Sequence, residues 1–150
     1  MTGTIKCDIV SSQREVFSGE VTLFVAPGVS GELGIYPRHA PLITILKPGA
    51  LRVVVPSGEE TLFFVSGGIL EVVPHLITVA ADEVVRAADV DEAAAMRARE
   101  AAERELQDRT GAIDLEVAQA QLMKSMAELR AVELLRRQDK RQRTQDASRK

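Results

Sequence analysis

Cysteine and aromatic residues are scarce in this chain: Cys7 stands alone, and 150 residues hold one tyrosine, four phenylalanines and no tryptophan. A lone cysteine excludes an intrachain disulfide, so the fold has to be held by its core. No uninterrupted apolar run approaches the roughly 20 residues that cross a bilayer, and direct membrane insertion is not expected. The opening MTGTIKCDIV lacks the basic, apolar and small-residue regions of a secretory signal, which with the free thiol points to an intracellular, reducing location. Also missing are a Gly-x-x-x-x-Gly-Lys-[Ser/Thr] phosphate loop, a Cys/His metal spacing and a nucleophile beside a base. Catalytic and metal residues are therefore expected to be none.

What is present divides in two. No aromatic lies beyond Phe64, whereas the last sixty or so positions are rich in Ala, Glu, Arg, Leu and Gln. The formal charge of −3 is uneven as well: Met1 to Ala88 holds six basic against nine acidic residues, and Arg130 to Lys150 holds eight basic against three. A basic end of this kind seeks acidic surfaces.

Up to about residue 80, short β-rich runs alternate with turn signals at the spacing of a sandwich or barrel. Ile5, Cys7 and Ile9 alternate with Lys6 and Asp8, and Val21, Leu23 and Val25 with Thr22 and Phe24, so each set predicts an inward face. Further runs at 51–55, 61–65, 69–73 and 76–80 are separated by Pro56-Ser57-Gly58, Ser66-Gly67-Gly68 and Pro74-His75. Gly67-Gly68 reads as a bulge or close backbone contact. Antiparallel hairpins are the economical connection.

Beyond Ala81 the apolar period changes to that of helices. Asp89 or Asp91 is the expected N-cap of a first helix over 91–107; Asp108 to Gly111 is a turn, and Asp114 caps a second helix over 114–137. The second helix places Leu115, Ala118, Leu122, Met126, Leu129, Val132 and, at its end, Leu135 on one stripe; the first offers Ala93, Ala94, Ala98, Ala101, Ala102 and Leu106. Alanine removes little apolar surface from water, which predicts weak docking and a hairpin able to open. The fold class is thus α+β: an antiparallel β-sandwich of about ten strands in residues 1–86, then an antiparallel two-helix hairpin in 87–150 with a basic end disordered after Gln142.

The segment from Gly31 to Leu42, Gly-Glu-Leu-Gly-Ile-Tyr-Pro-Arg-His-Ala-Pro-Leu, resembles the signature loop of ATP synthase epsilon subunits of the bacterial type. Phe17-Ser18-Gly19, Lys47-Pro48-Gly49, the run Ser66 to Val72, Ala81-Asp82 and Asp91-Glu92-Ala93 stand around it in matching order, and the similarity spans about Lys6 to Leu135.

The resemblance implies a non-catalytic rotor subunit, peripheral at the cytoplasmic face of the plasma membrane. Its sandwich would join the gamma subunit to the c-subunit ring. Its helical tail would reach the alpha and beta subunits of the catalytic head and restrain ATP hydrolysis. By that likeness Gly31 and Glu32 face the c ring, Tyr36, His39, Pro41 and Leu42 face gamma, and Arg130, Arg136, Arg137 and Lys140 belong to the regulatory tail. Each has a plainer alternative: Glu32 as a solvated turn residue, His39 as a ring bonded to local backbone, the basic residues as a frayed helix end favoured by the dipole. A free-standing sandwich and coiled-coil adaptor is the competing class.

Some members of this family bind ATP through an Ile/Leu-Asp-x-x-Arg-Ala motif opening the first tail helix. Here Val90-Asp91-Glu92-Ala93-Ala94-Ala95 matches at Asp91 and Ala95, but Ala94 stands in the arginine's place, removing a planar cationic donor. ATP as a regulatory ligand is therefore not expected, and Asp91 is at most a weak nucleotide residue. Gly31-Glu32-Leu33-Gly34 also fits the Gly-x-x-Gly loop of KH modules, but it lies among strands and carries a negative charge. With no aromatic near the basic end for base stacking, no nucleic-acid partner is expected.

Overall fold

A computed structural model describes residues 3–108 and 112–149. Ten strands come first: β1 Ile5–Val10, β2 Glu15–Val21, β3 Leu23–Gly28, β4 Gly31–Ile35, β5 Leu42–Leu46, β6 Gly49–Val54, β7 Glu60–Val65, β8 Gly68–Val73, β9 Leu76–Ala80 and β10 Val84–Arg86. A single 3-10 turn, Ala87–Asp89, leads to helices α1 Glu92–Asp108 and α2 Ala112–Ser148. The α+β class expected from the sequence is the class observed.

The ladder runs β10-β7-β6-β3-β5-β8-β9-β1-β2, with β4 on β3. All pairings are antiparallel apart from β1 with β9, which run parallel. β3 joins the two layers: Leu23 to Val25 pair with β6, while Gly28 alone pairs with Leu46 of β5. Distant ends of the path then meet over one core. Phe17 of β2 stacks edge-on against Phe63 of β7, ring centroids 6.2 Å apart, and the Arg86 guanidinium of β10 lies 5.5 Å from the Phe63 centroid. Ile5, Cys7 and Ile9 are buried there as their alternation predicts, and burial pushes the Cys7 thiol up to about 12, leaving it a small inert hydrophobe.

The predicted inward set Val21, Leu23 and Val25 is corrected. Val21 is buried in the core, but the next core residues are Phe24 and Ala26; Leu23 is half-buried, and Val25 is buried but outside that core cluster. The chain bends at Thr22, whose N–H donates to the Val54 carbonyl at 2.8 Å, so two strands of opposite phase stand in place of a single alternating one. The close contact expected at the glycine pair is present: Gly68 has φ +132°, and a Cβ there would lie 2.2 Å from the Ala80 oxygen.

Asp91 caps α1, its Oδ1 accepting the Ala94 N–H at 3.0 Å. The buried positions of α1 are Ala95 and Ala102; Ala93 and Ala101, expected on the docking face, are exposed. On α2, Ala118 and Val132 are buried as predicted, whereas Leu115 and Met126 are exposed. Ala127 and Ala131 instead sit over Leu62, Phe64 and Ala87, so α2 lies along β6 and β7 with the smallest side chains at the contact. Asp108 ends α1 and α2 is already helical from Ala112, so Asp114, expected as the cap, lies inside the helix; the rest of the expected Asp108–Gly111 turn falls outside the described residues. A further correction concerns the end of the chain: α2 does not stop near residue 137, nor is order lost after Gln142, because the helix continues to Ser148. Gln, Lys and Arg are strong helix formers, and Thr144 and Ser148 hydroxyls donate to the carbonyls four residues back at 2.9 and 2.6 Å.

Candidate functional site

The signature segment is not one loop but a hairpin tip, a strand and a turn. Gly28 and Gly31 pair across the two-residue tip Val29-Ser30, and Gly31 takes φ +135°, which a side chain would resist. Gly31 and Glu32 are exposed there. At the far end of β4, about 13 Å away at strand rise, the chain turns through Tyr36 to His39, whose N–H donates to the Tyr36 carbonyl at 3.2 Å. Arg38 carries the turn at φ 68°. His39 Nδ1 is 2.7 Å from the Ala40 carbonyl; that oxygen can only accept, so Nδ1 bears the hydrogen and Nε2 is left for solvent or a partner. Tyr36 and Pro41 are exposed, and Leu42 is half-buried against the core, a packing position as much as a surface one.

Sequence reasoning missed the apolar surface beside the tip. Ile43 is 68 % exposed, Ile45 61 %, Ile69 52 % and Val29 56 %. Ile45 pairs with Ile69 across β5 and β8, and the Val29 N–H donates to the Ile45 carbonyl at 3.1 Å, so tip and patch are continuous. The signal was available: Leu42-Ile43-Thr44-Ile45-Leu46 is apolar at four positions of five, too many for a strand with one wet face. The tail covers the outer face of β6 and β7 and leaves this one open.

The basic tail residues are largely paired with acids in the docked arrangement. Arg130 and Arg137 both contact Glu133, at 3.3 and 2.6 Å, Arg136 pairs with Glu92 of α1, and Lys140 is exposed. Such surface pairs contribute at most about 1 kcal/mol each and exchange readily for other acids. A groove of about 1170 Å³ runs between α2 and the β6–β7 side, bordered by Lys47, Arg52, Met123, Met126 and Arg130. Asp91, the nucleotide candidate, has one carboxylate oxygen committed to its capping bond. Among the described residues no group of three or more His, Cys, Asp or Glu could hold a metal ion.

Where α2 crosses the end of the sandwich, Lys124 Nζ lies 2.9 Å from Glu83 and 3.8 Å from Glu128. The hydrogen bond that Lys124 donates to the Glu83 carboxylate raises the Lys124 pKa against the lowering effect of burial. Burial raises that of Glu128, Lys124 opposes the rise, and Glu83 and Asp91 add to it.

The chain thus combines a sandwich with an open apolar face and a glycine-flanked acidic tip with a helical hairpin docked on it through small side chains. Family comparison is specific: the beta-sandwich domain of the ATP synthase delta/epsilon chain matches residues 4–87, and the long alpha-helix domain of the same chain matches 88–133. The chain belongs to the ATP synthase delta/epsilon chain family. It is 53 % identical over 137 residues to an ATP synthase epsilon chain of Nitrosococcus oceani, covering 91 % of this chain and 98 % of that one. It is 55 % identical over 134 residues to the epsilon chain of Xanthomonas campestris pv. campestris, covering 89 % and 96 %. Similar folds occur in the Euglena gracilis mitochondrial ATP synthase, in a structure of OSCP, F1 and c-ring, at TM-score 0.71 and 20 % identity over 91 % of this chain and 81 % of that one. The central stalk and c-ring structure of the Tetrahymena thermophila mitochondrial enzyme has another, at TM-score 0.61 and 15 % identity over 87 % and 98 %.

Proposed function

We propose that this chain is a non-catalytic rotor subunit, peripheral at the cytoplasmic face of the plasma membrane, that couples gamma to the c ring and restrains ATP hydrolysis through α1 and α2. The observation that carries this reading is the open patch of Val29, Ile43, Ile45 and Ile69, which fits a permanent partner better than water. In this reading the patch seats on gamma, with Tyr36, His39 and Pro41 at its rim and Leu42 supporting it from beneath. Gly31 and Glu32, at the continuous tip, face the polar loops of the c subunits, where a charge fixes orientation more than affinity. Arg130, Arg136, Arg137 and Lys140 exchange their present carboxylates for acidic segments of alpha and beta when the hairpin opens. No described helix is long and apolar enough to cross a membrane; in this reading the chain is held there by its partners.

The test has two arms. An Ile45→Asp chain should keep the melting temperature of the parent and fail to co-purify with gamma; retention of gamma would remove the docking face from this reading. Truncation after Val90 should leave assembly intact, because the main core draws only on strand residues and their connections, and should raise ATP hydrolysis. Hydrolysis unchanged by the truncation would sink the tail's role.

A further inference from the structure

The family's helix domain matches only as far as residue 133, yet the residues just beyond fasten α2 at three points. Leu134 and Leu135 pack on the cluster of Leu62, Phe64 and Ala87. Arg136 pairs with Glu92 in the first turn of α1. Gln138 Nε2 donates to the Glu60 carbonyl, at the start of β7, at 3.0 Å. Residues 134–138 thus form a clasp that holds α2 to both α1 and the sandwich.

A helix ending at 138 would make this clasp its last turn, where carbonyls lack intrahelical donors and the backbone frays. In this chain α2 runs on to Ser148, about 15 Å further at helical rise. Those added residues are exposed, so burial does not explain them. Their physical effect is to move the frayed end away from the clasp.

We propose that residues 139–148 are a helical extension that keeps the clasp formed and so biases this chain toward the docked tail. Its regulatory consequence rests on the reading of the tail given above; the clasp itself does not. Glu133 and the residues before it would then be necessary for docking without being sufficient to hold it.

Amide hydrogen exchange on the isolated chain tests the clasp directly. Truncation after Gln138 keeps every clasp residue and should raise exchange at Val132–Gln138 and Glu92–Ala95 by roughly ten-fold, the scale of one hydrogen bond lost with its neighbours, while β1 to β9 stay protected. Exchange equal to that of the full chain at those positions would overturn the proposal. Should the truncation disturb the strands, Gln138→Glu in the full chain decides. It sets a carboxylate against the Glu60 carbonyl, where the present Oε1 is buried without a donor among the described residues, so the same acceleration is expected and its absence is again fatal. In the assembled complex Gln138→Glu should lower ATP hydrolysis by releasing the tail more often. Faster exchange with unchanged hydrolysis would uphold the clasp and overturn the regulatory role of the tail.

Discussion

Lys124 of α2 reaches across to Glu83, Nζ to Oε2 at 2.9 Å, and ties the middle of the helical tail to the loop that precedes β10. Glu83 is a firm anchor, because its N–H donates to the Ser66 hydroxyl and its carbonyl accepts the Ser66 N–H, both at 3.0 Å. Both charged side chains are more than a third exposed, so the pair is worth at most about 1 kcal/mol. Glu83→Lys should loosen the docked tail several-fold, read as faster exchange at Ala127–Val132, and Lys124→Glu in the same chain should restore it. Because the Lys124 pKa is raised in the folded state, the contribution is complete below the ordinary 10.5 and is lost as pH rises through the raised value. Failure of the double exchange to restore protection would mean that the pair is a passive surface contact.

Glu128 works in the other direction. Its side chain is 18 % exposed, and burial together with Glu83 and Asp91 outweighs the attraction of Lys124. A carboxyl whose pKa is raised on folding opposes folding while it is charged, and that penalty fades as pH falls through the raised value toward the ordinary 4.5. Glu128→Gln should therefore stabilise the docked hairpin at pH 7 and flatten a mild rise in its stability on acidification. Exchange at Ala118–Val132 measured over that pH range checks both parts, and a destabilised Glu128→Gln chain would mean that its 3.8 Å contact to Lys124 dominates.

How far the sequence could carry such detail depended on whether a feature was local. The alternation of Ile5, Cys7 and Ile9 was legible because one unbroken strand fixes one phase. The phase change at Thr22 was not, since the bond responsible reaches 32 residues along the chain to Val54. The turn at Val29-Ser30 was not legible either: Gly31 to Leu42 reads as one loop, whereas Gly31–Ile35 pairs with β3 as a strand. Ile43, Ile45 and Ile69 were not legible, because which face of β5 and β8 stays open depends on where α2 settles, and its alanine-rich surface gives little preference. Helix past Gln142 was misread for a related reason: without an apolar stripe, only propensity argues for it.

Two glycines make a stability test with unequal outcomes. Gly68→Ala forces a Cβ to within 2.2 Å of the Ala80 oxygen at φ +132°, so both the backbone angle and the neighbouring strand must yield. The expected loss is ~3 kcal/mol or more. Gly58→Ala also takes a positive φ, +89°, but meets nothing within 4 Å, and should lose ~1 kcal/mol. Urea unfolding of the two chains compares them directly; equal losses would show that the contact between β8 and the end of β9 relaxes freely.

The last prediction concerns ATP. Asp91 is the one polar motif residue retained, Ala95 matching beside it, and in the docked tail Asp91 is already engaged: its Oδ1 accepts the Ala94 N–H at 3.0 Å and its carbonyl accepts the Ala95 N–H at 3.0 Å. Ala94 supplies no cation where the motif has arginine. Of the arginines further along α1, Arg99 is paired with Glu103 at 3.1 Å, and Arg97 is separated from position 94 by three residues, about 300° around the helix. A nucleotide would have to take Asp91 from its capping role, at ~1 kcal/mol, and forgo a charge-assisted contact worth about 1.5–3 kcal/mol, or roughly ten- to a hundred-fold in affinity. Calorimetry on the isolated chain should accordingly show no ATP binding in the micromolar range, and Asp91→Ala should lower helix stability without changing any ATP response. Micromolar binding that disappears in Asp91→Ala would establish that the motif works without its arginine.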